Sequence, residues 1–269
     1  MTDGGDRGLP EKSREWNAEA YHRLSEPQFA WGLRVLERLR LEGDEHALDA
    51  GCGSGRLTRE LARRLEHGRV TGVDLSENMA RAAAATLGNG AGQRVVCGDL
   101  CRLPFRDDAF DAVFSTATFH WILDHDRLFA ELRRVLRPRG RVEAQCGGGP
   151  NLASVHARAN ALANRPERRR FFEDWHEPWL FASAADTEER LRRAGFGFVR
   201  CWLERAPTAF STADRYRAFL ESVVMRPYLA RLPSEAERDT FLDALVAQAA
   251  NDDPPFTLDY WRLNISATV

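Results

Sequence analysis

The residues best suited to chemistry lie in the run Ala47 to Gly55, ALDAGCGSG, where an apolar strand ends in an acid and three glycines follow at alternate positions. Glycine has no Cβ, so the backbone can take positive φ, turn sharply from strand to helix and let a ligand lie directly against it. The pattern therefore predicts a loop that binds a nucleotide-type ligand.

Three further apolar runs end in acidic or small residues. Asp74 follows the run 70–73, and its carboxylate can accept hydrogen bonds from both hydroxyls of a ribose. The residues after the other two runs are Gly98, Asp99 and Leu100, and then Ser115, Thr116 and Ala117. A ligand of an open α/β sheet lies beyond the carboxyl ends of the strands, so we expect all four ends to meet one ligand. The glycine loop alone would not separate S-adenosylmethionine from a dinucleotide or FAD.

These motifs resemble those of the class I S-adenosylmethionine-dependent methyltransferases, whose run D-x-G-x-G-x-G stands here as Asp49, Gly51, Gly53 and Gly55. The spacing differs from the G-x-G-x-x-G of nicotinamide enzymes. The likeness covers the whole chain and continues through RLPF at 102–105, FDAV at 110–113 and LRRVLRPRG at 132–140. Within the superfamily the chain is most similar to the trans-aconitate methyltransferases, in Trp16, Asn17 and Tyr21, in FHWILDH at 119–125 and in RPYL at 226–229.

The resemblance implies S-adenosyl-L-methionine as the cofactor and assigns roles by position. The residues expected to meet its amino-acid moiety are Asp49, Ala50, Gly51, Cys52 and Gly53. Those expected at the ribose and adenine are Asp74, Leu75, Met79, Gly98, Asp99 and Leu100, and those nearest the reacting methyl are Ser115, Thr116, Ala117 and His120. Trp16 and Tyr21 would fold a helix over the cofactor. Three alternatives stay open: Met79 is a core residue, Asp99 caps the turn at Leu100, or Trp16 only seals the core.

Histidine and aromatic residues are the candidates for the acceptor side. His120 is the candidate catalytic residue, as a base or a hydrogen-bond donor, unless it is simply packed in the core. For His125 we expect a structural or capping role. The residues proposed to line a substrate pocket are Trp121, Trp175, Arg226, Tyr228 and Tyr260. Arg226 would bind a carboxylate, whereas Arg165, Arg168, Arg169, Arg170 and Arg192 are expected to be solvated surface charges.

Methyl transfer from a sulfonium depends mainly on alignment of the two reactants, so it requires no nucleophile–base pair. None is evident in the sequence, and no metal site is expected. The leading hypothesis is a small-molecule methyltransferase that acts on a carboxylic acid. The alternatives are an O-, N- or C-methyltransferase of a secondary metabolite and a non-catalytic S-adenosylmethionine-binding protein. A nicotinamide oxidoreductase is disfavoured by the glycine spacing.

Strand and helix patterns alternate from residue 47 to 146, which predicts right-handed βαβ units. The expected fold is α/β: a doubly wound, mostly parallel seven-stranded, Rossmann-like sheet with a helical cap formed by insertions. The predicted divisions are a mobile tail at 1–14, N-terminal helices and the cofactor-binding core at 15–150, a cap insertion at 151–185, a core helix and strand at 186–205, a helical cap insertion at 206–256 and the final core strand at 257–269. The family resemblance implies that this last strand is antiparallel.

Composition limits the remaining choices. The 269 residues carry a formal net charge of -2, which predicts no general attraction to nucleic acid or to an anionic membrane. Five cysteines without C-x-x-C spacing, and a polar first segment, predict a reduced cytoplasmic protein. The expected partner is a small-molecule acceptor, and the expected oligomeric state is a monomer or homodimer.

Overall fold

Strands of apolar and β-branched residues alternate with helices in the computed structural model, which describes residues 26–88, 90 and 92–269. Its α-helices are α1 (Glu26–Arg38), α2 (Arg56–Ala62), α3 (Glu77–Leu87), α4 (His125–Val135), α5 (Ala153–Ala163), α6 (Ala184–Arg193), α7 (Ala213–Phe219), α8 (Arg226–Leu229) and α9 (Glu235–Ala249). Its strands are β1 (His46–Ala50), β2 (Arg69–Asp74), β3 (Gln93–Cys97), β4 (Phe110–Thr116), β5 (Leu136–Gly147), β6 (Phe198–Arg205), β7 (Thr208–Ala209), β8 (Thr257–Leu258) and β9 (Trp261–Thr268). Short 3₁₀ helices span Phe119–Trp121 and Arg169–Phe171, and a short π-helical segment spans Leu220–Val224.

Seven strands form the main sheet in the order β3-β2-β1-β4-β5-β9-β6. Neighbouring strands from β3 to β5 are parallel, and β9 is antiparallel to both β5 and β6. The predicted doubly wound, mostly parallel sheet is thus confirmed. The direction in which successive strands are added reverses between β1 and β4. Sheets of this kind open a crevice for a ligand at that point. We call the edge formed by the carboxyl ends of β1, β2, β4 and β5 the carboxyl edge.

Helices cover both faces of this sheet. On one face, α4 and α6 pack over a core that includes Phe110, Leu132 and Leu191. On the other face, α1 and α2 bury Leu36 and Leu61 with Phe114 of β4. Side-chain caps begin the helices, because a serine or aspartate oxygen accepts one of the backbone N–H groups that lack a partner in the first turn. Ser76 caps α3, Asp124 caps α4 and Ser183 caps α6 in this way.

Strand β5 begins at Leu136, with no connecting segment after α4. Helix α4 ends at Val135, and Pro138 close behind it cannot continue a helix. Leu136 instead pairs with Phe110, and the register shifts between Phe110 and Ala112. At its other end β5 runs to Gly147, two residues beyond Gln145, the register partner of Thr116 at the end of β4.

A separate apolar cluster is formed mainly by residues of the two predicted cap insertions, 151–185 and 206–256. Helices α5, α7, α8 and α9 contribute to it, together with Trp31 of α1, Trp179 and Tyr260. The stretch 206–256, predicted as a helical cap insertion, contains α7, α8 and α9, with the short π-helical segment between α7 and α8. The sequence pattern gives no sign of the short antiparallel pair β7–β8. Within the described residues, no helix is long and apolar enough to cross a bilayer.

His156 on α5 is buried beside two aromatic rings of this region. Its ring stacks on Trp179 with centroids 4.5 Å apart and on Phe181 at 5.8 Å, with interplanar angles of 16° and 6°. Burial lowers the pKa of His156 to about 4, and the charge of Asp259 opposes the shift. The ring is therefore packed as the neutral imidazole.

This burial predicts that acid weakens the fold through His156. A histidine with a lowered folded pKa contributes full stability above about pH 6.5 and loses it as the pH falls toward 4, because the unfolded chain then binds the proton more tightly. The loss amounts to roughly 3 kcal/mol. In His156→Phe, the fall in unfolding free energy between pH 7 and 4.5, measured by urea titration, should be roughly 2 kcal/mol smaller than in the wild type. His67→Gln is the control, because His67 is exposed. The prediction would be contradicted if the unfolding free energy of His156→Phe fell with pH as steeply as that of the wild type.

Candidate active site

The three glycines of the loop after β1 all have positive φ, but they serve different purposes. A Cβ on Gly51 would meet the side chain of Thr118 at 2.1 Å, and one on Gly55 would meet the backbone of Ala83 at 2.8 Å. A Cβ on Gly53 would meet no atom of the described residues within 4 Å. Gly51 and Gly55 are therefore required by packing. Gly53, at φ +53°, borders open space that a ligand can enter.

Asp74 at the end of β2 holds this loop in place. Its Oδ2 accepts the N–H of Gly53 at 2.9 Å, and its Oδ1 accepts the N–H of Ser76 at 2.9 Å. The carbonyl of Val73 accepts the N–H groups of Gly51 and Cys52 at 2.8 and 2.9 Å. An ionised carboxylate has about four acceptor positions, so a carboxylate of this kind can accept more donors than these two backbone groups.

The predicted adenine residues lie around the same strand end in different environments. Leu75 is exposed and open to a ligand, whereas Met79 is buried and belongs to the face of α3 that packs inward. The N–H of Gly98 donates to the carbonyl of Asp74 at 2.9 Å, and Leu100 is buried in the core. Asp99 Oδ1 accepts the N–H of Cys101 at 2.8 Å, which is the turn-capping contact considered as the alternative.

Asp49 is a buried acid at the end of β1, where the neighbouring Ala50 and Cys52 are also buried. The hydroxyl of Thr58 donates to its Oδ2 at 2.6 Å. Burial raises the pKa of Asp49 to about 7; the Thr58 hydrogen bond opposes that shift, and the charge of Asp74 adds to it. A cation placed beside this carboxyl would favour its ionised form, which suits the ammonium group of an amino acid.

The carboxyl end of β4 is bonded directly to the glycine loop. Ser115 Oγ donates to the carbonyl of Ala50 at 2.6 Å, and Thr118 Oγ1 donates to the carbonyls of Gly51 and Thr116 at 3.3 and 3.0 Å. Ala117 has φ +55°, a left-handed conformation that costs an alanine about 1–2 kcal/mol. The sequence reasoning missed Thr118, although it directly follows the small residues that were selected.

His120 is buried and is held through its ring. The N–H of Gly147 donates to His120 Nδ1 at 3.3 Å, so the proton of the neutral ring lies on Nε2. Burial lowers the pKa of His120 well below its usual range, and the charge of nearby Arg262 adds to the effect. His120 is thus packed and neutral, with a free donor role at Nε2 rather than a free basic nitrogen. His125 has the expected structural role, since it begins α4 and its Nε2 bonds the carbonyl of Phe119 at 3.0 Å.

Arg262 on β9 was missed by the sequence reasoning. It is 3% exposed, and its Nε donates to Gln145 Oε1 at 3.4 Å. Its guanidinium carbon lies 4.7 Å from the ring centre of Trp31 and 5.9 Å from that of Tyr260. The sequence did contain one signal for it. In β9 this arginine stands among inward residues that are apolar or carry an amide.

The predicted substrate residues are distributed over the carboxyl edge and the helical cap. Trp175 lies 4.6 Å from Tyr228 between ring centres and, with residues of α5, lines a cavity of about 440 Å³. Tyr228 is fully buried and donates to Asn160 Oδ1 at 2.7 Å. The ring centres of Trp121 and Trp179 are 6.2 Å apart, and those of Tyr260 and Trp31 are 5.2 Å apart.

Two arginines of the cap differ in how they are placed. Arg226 begins α8 and is half-buried, and burial lowers its pKa. The prediction that Arg168 is a solvated surface charge is wrong: it is buried, and its Nε lies 3.2 Å from Glu237 Oε2. The carboxylate at the start of α9 compensates its charge, as a buried guanidinium requires. Trp16 and Tyr21 lie outside the described residues.

Comparison with known proteins identifies the family. A family model described as a methyltransferase domain matches residues 48–144. The trans-aconitate 2-methyltransferase of Deinococcus radiodurans is 31% identical over 234 residues, which cover 85% of this chain and 87% of that protein. The chain belongs to the class I S-adenosylmethionine-dependent methyltransferases. Its cofactor is therefore S-adenosyl-L-methionine.

Two further relatives extend this comparison. The malonyl-[acyl-carrier protein] O-methyltransferase of Geobacter sulfurreducens is 46% identical over 179 residues, covering 64% of this chain and 63% of that protein. Phosphoethanolamine N-methyltransferase 2 of Haemonchus contortus, solved with phosphomonomethylethanolamine and S-adenosylhomocysteine, superposes with a TM-score of 0.60 at 22% identity. That match covers 94% of this chain and 56% of the other and shows the shared fold.

Asp74 should be essential for cofactor affinity. Asp74→Ala removes the acceptor for Gly53 and Ser76 together with the expected ribose acceptor, so binding of S-adenosylhomocysteine should weaken at least about tenfold. Asp74→Asn, which keeps one acceptor oxygen, should bind with intermediate affinity. Asp111 is the matched control, because its Oδ2 accepts the N–H of His46 at 2.8 Å at the opposite edge of the sheet. Calorimetric titration that found equal affinity in Asp74→Ala and Asp111→Ala would show that Asp74 does not bind the ribose.

Gly53 tests whether the ligand approaches the backbone. Gly53→Val places a branched side chain in the open space beside the loop, so S-adenosylhomocysteine binding should fall below detection. Gly88 is the control, because it also has positive φ, at +68°, and an added Cβ there would also meet nothing within 4 Å. Both variants should lose stability in thermal unfolding, because a β-branched residue is strained at positive φ. Normal cofactor binding by folded Gly53→Val would mean that the ligand does not contact this loop.

Proposed function

We propose that this S-adenosylmethionine-dependent methyltransferase acts on a small molecule, and that its acceptor is a carboxylic acid. The observation that carries the proposal is the hydrogen bond from the Gly147 N–H to His120 Nδ1 at 3.3 Å. It occupies the basic nitrogen of the histidine nearest the carboxyl end of β4. An acceptor that needs no base fits this arrangement best, and a carboxylate is already ionised at neutral pH.

The bound cofactor supplies a methyl group on a sulfonium, from which a neutral thioether leaves. The protein then has to hold the acceptor oxygen in line with that methyl group and exclude water. Such positioning can account for about 7–11 kcal/mol of a reaction barrier. We assign the cofactor to residues 49–53, Asp74, Leu75 and residues 98–100, and the reacting end to residues 115–117.

The acceptor would lie between the carboxyl edge and the cap. Trp121, Trp175, Tyr228 and Tyr260 would form its aromatic walls, and an arginine would bind its charge. The two curated relatives described above are named for trans-aconitate, a tricarboxylic acid, and for a malonyl group, which has a free carboxylate. Their names support a carboxylic acid as the acceptor of this chain as well.

His120 distinguishes a carboxylate acceptor from a phenol or an amine. With a lowered pKa, His120 stays neutral from pH 6 to 8, so the wild-type turnover of an acid should vary little over that range. In His120→Gln the amide oxygen can still accept the Gly147 N–H, and kcat should stay within about tenfold of the wild-type value. Removal of a true general base would instead lower kcat by roughly 100-fold or more.

The measurement begins with a mass-shift screen of acids, phenols and amines, followed by kcat against pH for the acceptor found. His125→Gln is the control, since this second buried histidine bonds only structural groups. Transfer to a phenol or amine with a large loss in His120→Gln would favour the secondary-metabolite alternative. Cofactor binding without transfer to any compound would leave the non-catalytic alternative.

A further inference from the structure

Thr58 carries a buried hydroxyl on α2, the helix that follows the glycine loop. Its side chain is fully buried, and its Oγ1 donates to Asp49 Oδ2 at 2.6 Å. Nine positions separate the two residues, and the glycine loop lies between them in the chain. The hydrogen bond therefore joins the helix after the loop to the strand before it.

The other described groups around Asp49 do not favour its ionised form. Gly72 of β2 and Phe114 of β4 stand opposite it in the sheet, and neither has a polar side chain. Asp74 is close enough for its negative charge to oppose ionisation of Asp49. The thiol of Cys52 is also near, but burial raises its pKa well above the usual range, so it stays neutral. A carboxylate at this place therefore needs a donor.

The hydroxyl of Thr58 supplies that donor. Burial raises the pKa of Asp49 to about 7, the Thr58 hydrogen bond lowers it, and the charge of Asp74 raises it further. A hydrogen bond to the charged form favours that form, so the hydroxyl keeps Asp49 ionised in about half of the molecules at pH 7. Without the hydroxyl, Asp49 would be mostly protonated at that pH.

We propose that Thr58 is a positioning residue for the cofactor: its hydroxyl orients the Asp49 carboxylate and keeps it ionised, so that Asp49 binds the ammonium group of S-adenosylmethionine. This inference rests on the proposed function, in which residues 49–53 hold the cofactor. The ammonium group is attracted by an ionised Asp49, whereas a protonated Asp49 offers it no opposite charge. Thr58 acts through Asp49 and does not itself have to touch the cofactor.

The test compares two ligands by calorimetric titration of the full chain between pH 6 and 8. S-adenosylhomocysteine carries the ammonium group, and 5′-methylthioadenosine has the same adenine, ribose and thioether without the amino-acid part. Thr58→Val keeps the shape of the side chain and removes the hydroxyl, whereas Thr58→Ser keeps the hydroxyl. Thr187→Val is the matched control, because Thr187 is also fully buried in a helix, α6, and its hydroxyl donates to the carbonyl of Ser183 at 2.7 Å.

In the wild type, the affinity for S-adenosylhomocysteine should rise about tenfold from pH 6 to pH 8, because the ionised fraction of Asp49 rises over that range. Thr58→Val should bind it about fivefold less tightly at pH 7, and the difference should widen toward pH 6 and narrow to about twofold at pH 8. Thr58→Ser and Thr187→Val should follow the wild type. The affinity for 5′-methylthioadenosine should be the same in all four proteins and vary little with pH.

A purely structural role for Thr58 would lower the affinity for both ligands by one constant factor at every pH, and that result would overturn the proposal. Equal affinities for S-adenosylhomocysteine in the wild type and in folded Thr58→Val would overturn it as well. If Thr58→Val fails to fold, proton release by the wild type decides. Binding of S-adenosylhomocysteine at pH 7, titrated in two buffers of different ionisation enthalpy, should release about half a proton, and release of none would contradict the role of Asp49. Wild-type protein that binds neither ligand would instead remove the cofactor site on which the proposed function depends.

Discussion

The attachment of the glycine loop to the end of β2 is the constraint on which the rest of the site depends. Val73 and Asp74 accept the backbone N–H groups of Gly51, Cys52 and Gly53 in succession. Three consecutive donors bonded to one strand end leave the loop little freedom, so the face of Gly53 stays open. Ser115 and Thr118 then bond the carbonyls of Ala50 and Gly51, which sets the distance from this loop to the end of β4. The cofactor side and the transfer side are thus one hydrogen-bonded unit.

Beside that unit, the fold buries a neutral imidazole and a guanidinium at the same strand end. Burial alone would favour the neutral form of His120, and the charge of Arg262 favours it further. A protonated His120 would place two like charges in a poorly solvated region. The arrangement therefore opposes proton abstraction by His120. An acceptor that needs no base, as we propose for this chain, is compatible with a neutral histidine at this place.

Local patterns were sufficient to predict the sheet and the loop. A strand followed by glycines, or an acid after an apolar run, is specified by neighbouring residues, so the ends of β1, β2 and β4 were predicted within one residue. Contacts between distant residues were not predictable in this way. Arg262 meets Gln145 across 117 positions, and Arg168 meets Glu237 across 69. An arginine in sequence looks solvated by default, and only the folded neighbours show which one is buried.

A row of aromatic rings connects the carboxyl edge with the apolar cluster around α5. From His120, aromatic rings follow one another through Phe181, His156, Trp179 and Trp175, with centres 4.5 to 6.2 Å apart. Closely packed aromatic rings are stiff and uncharged, so they favour an acceptor by its size and flatness and attract an acid only weakly. The acid acceptor proposed above would therefore need a cation in addition to these rings. Because the strand ends that hold the glycine loop and the helices that carry these rings are different parts of the chain, changes in those helices would alter the preferred size of the acceptor while cofactor binding is kept.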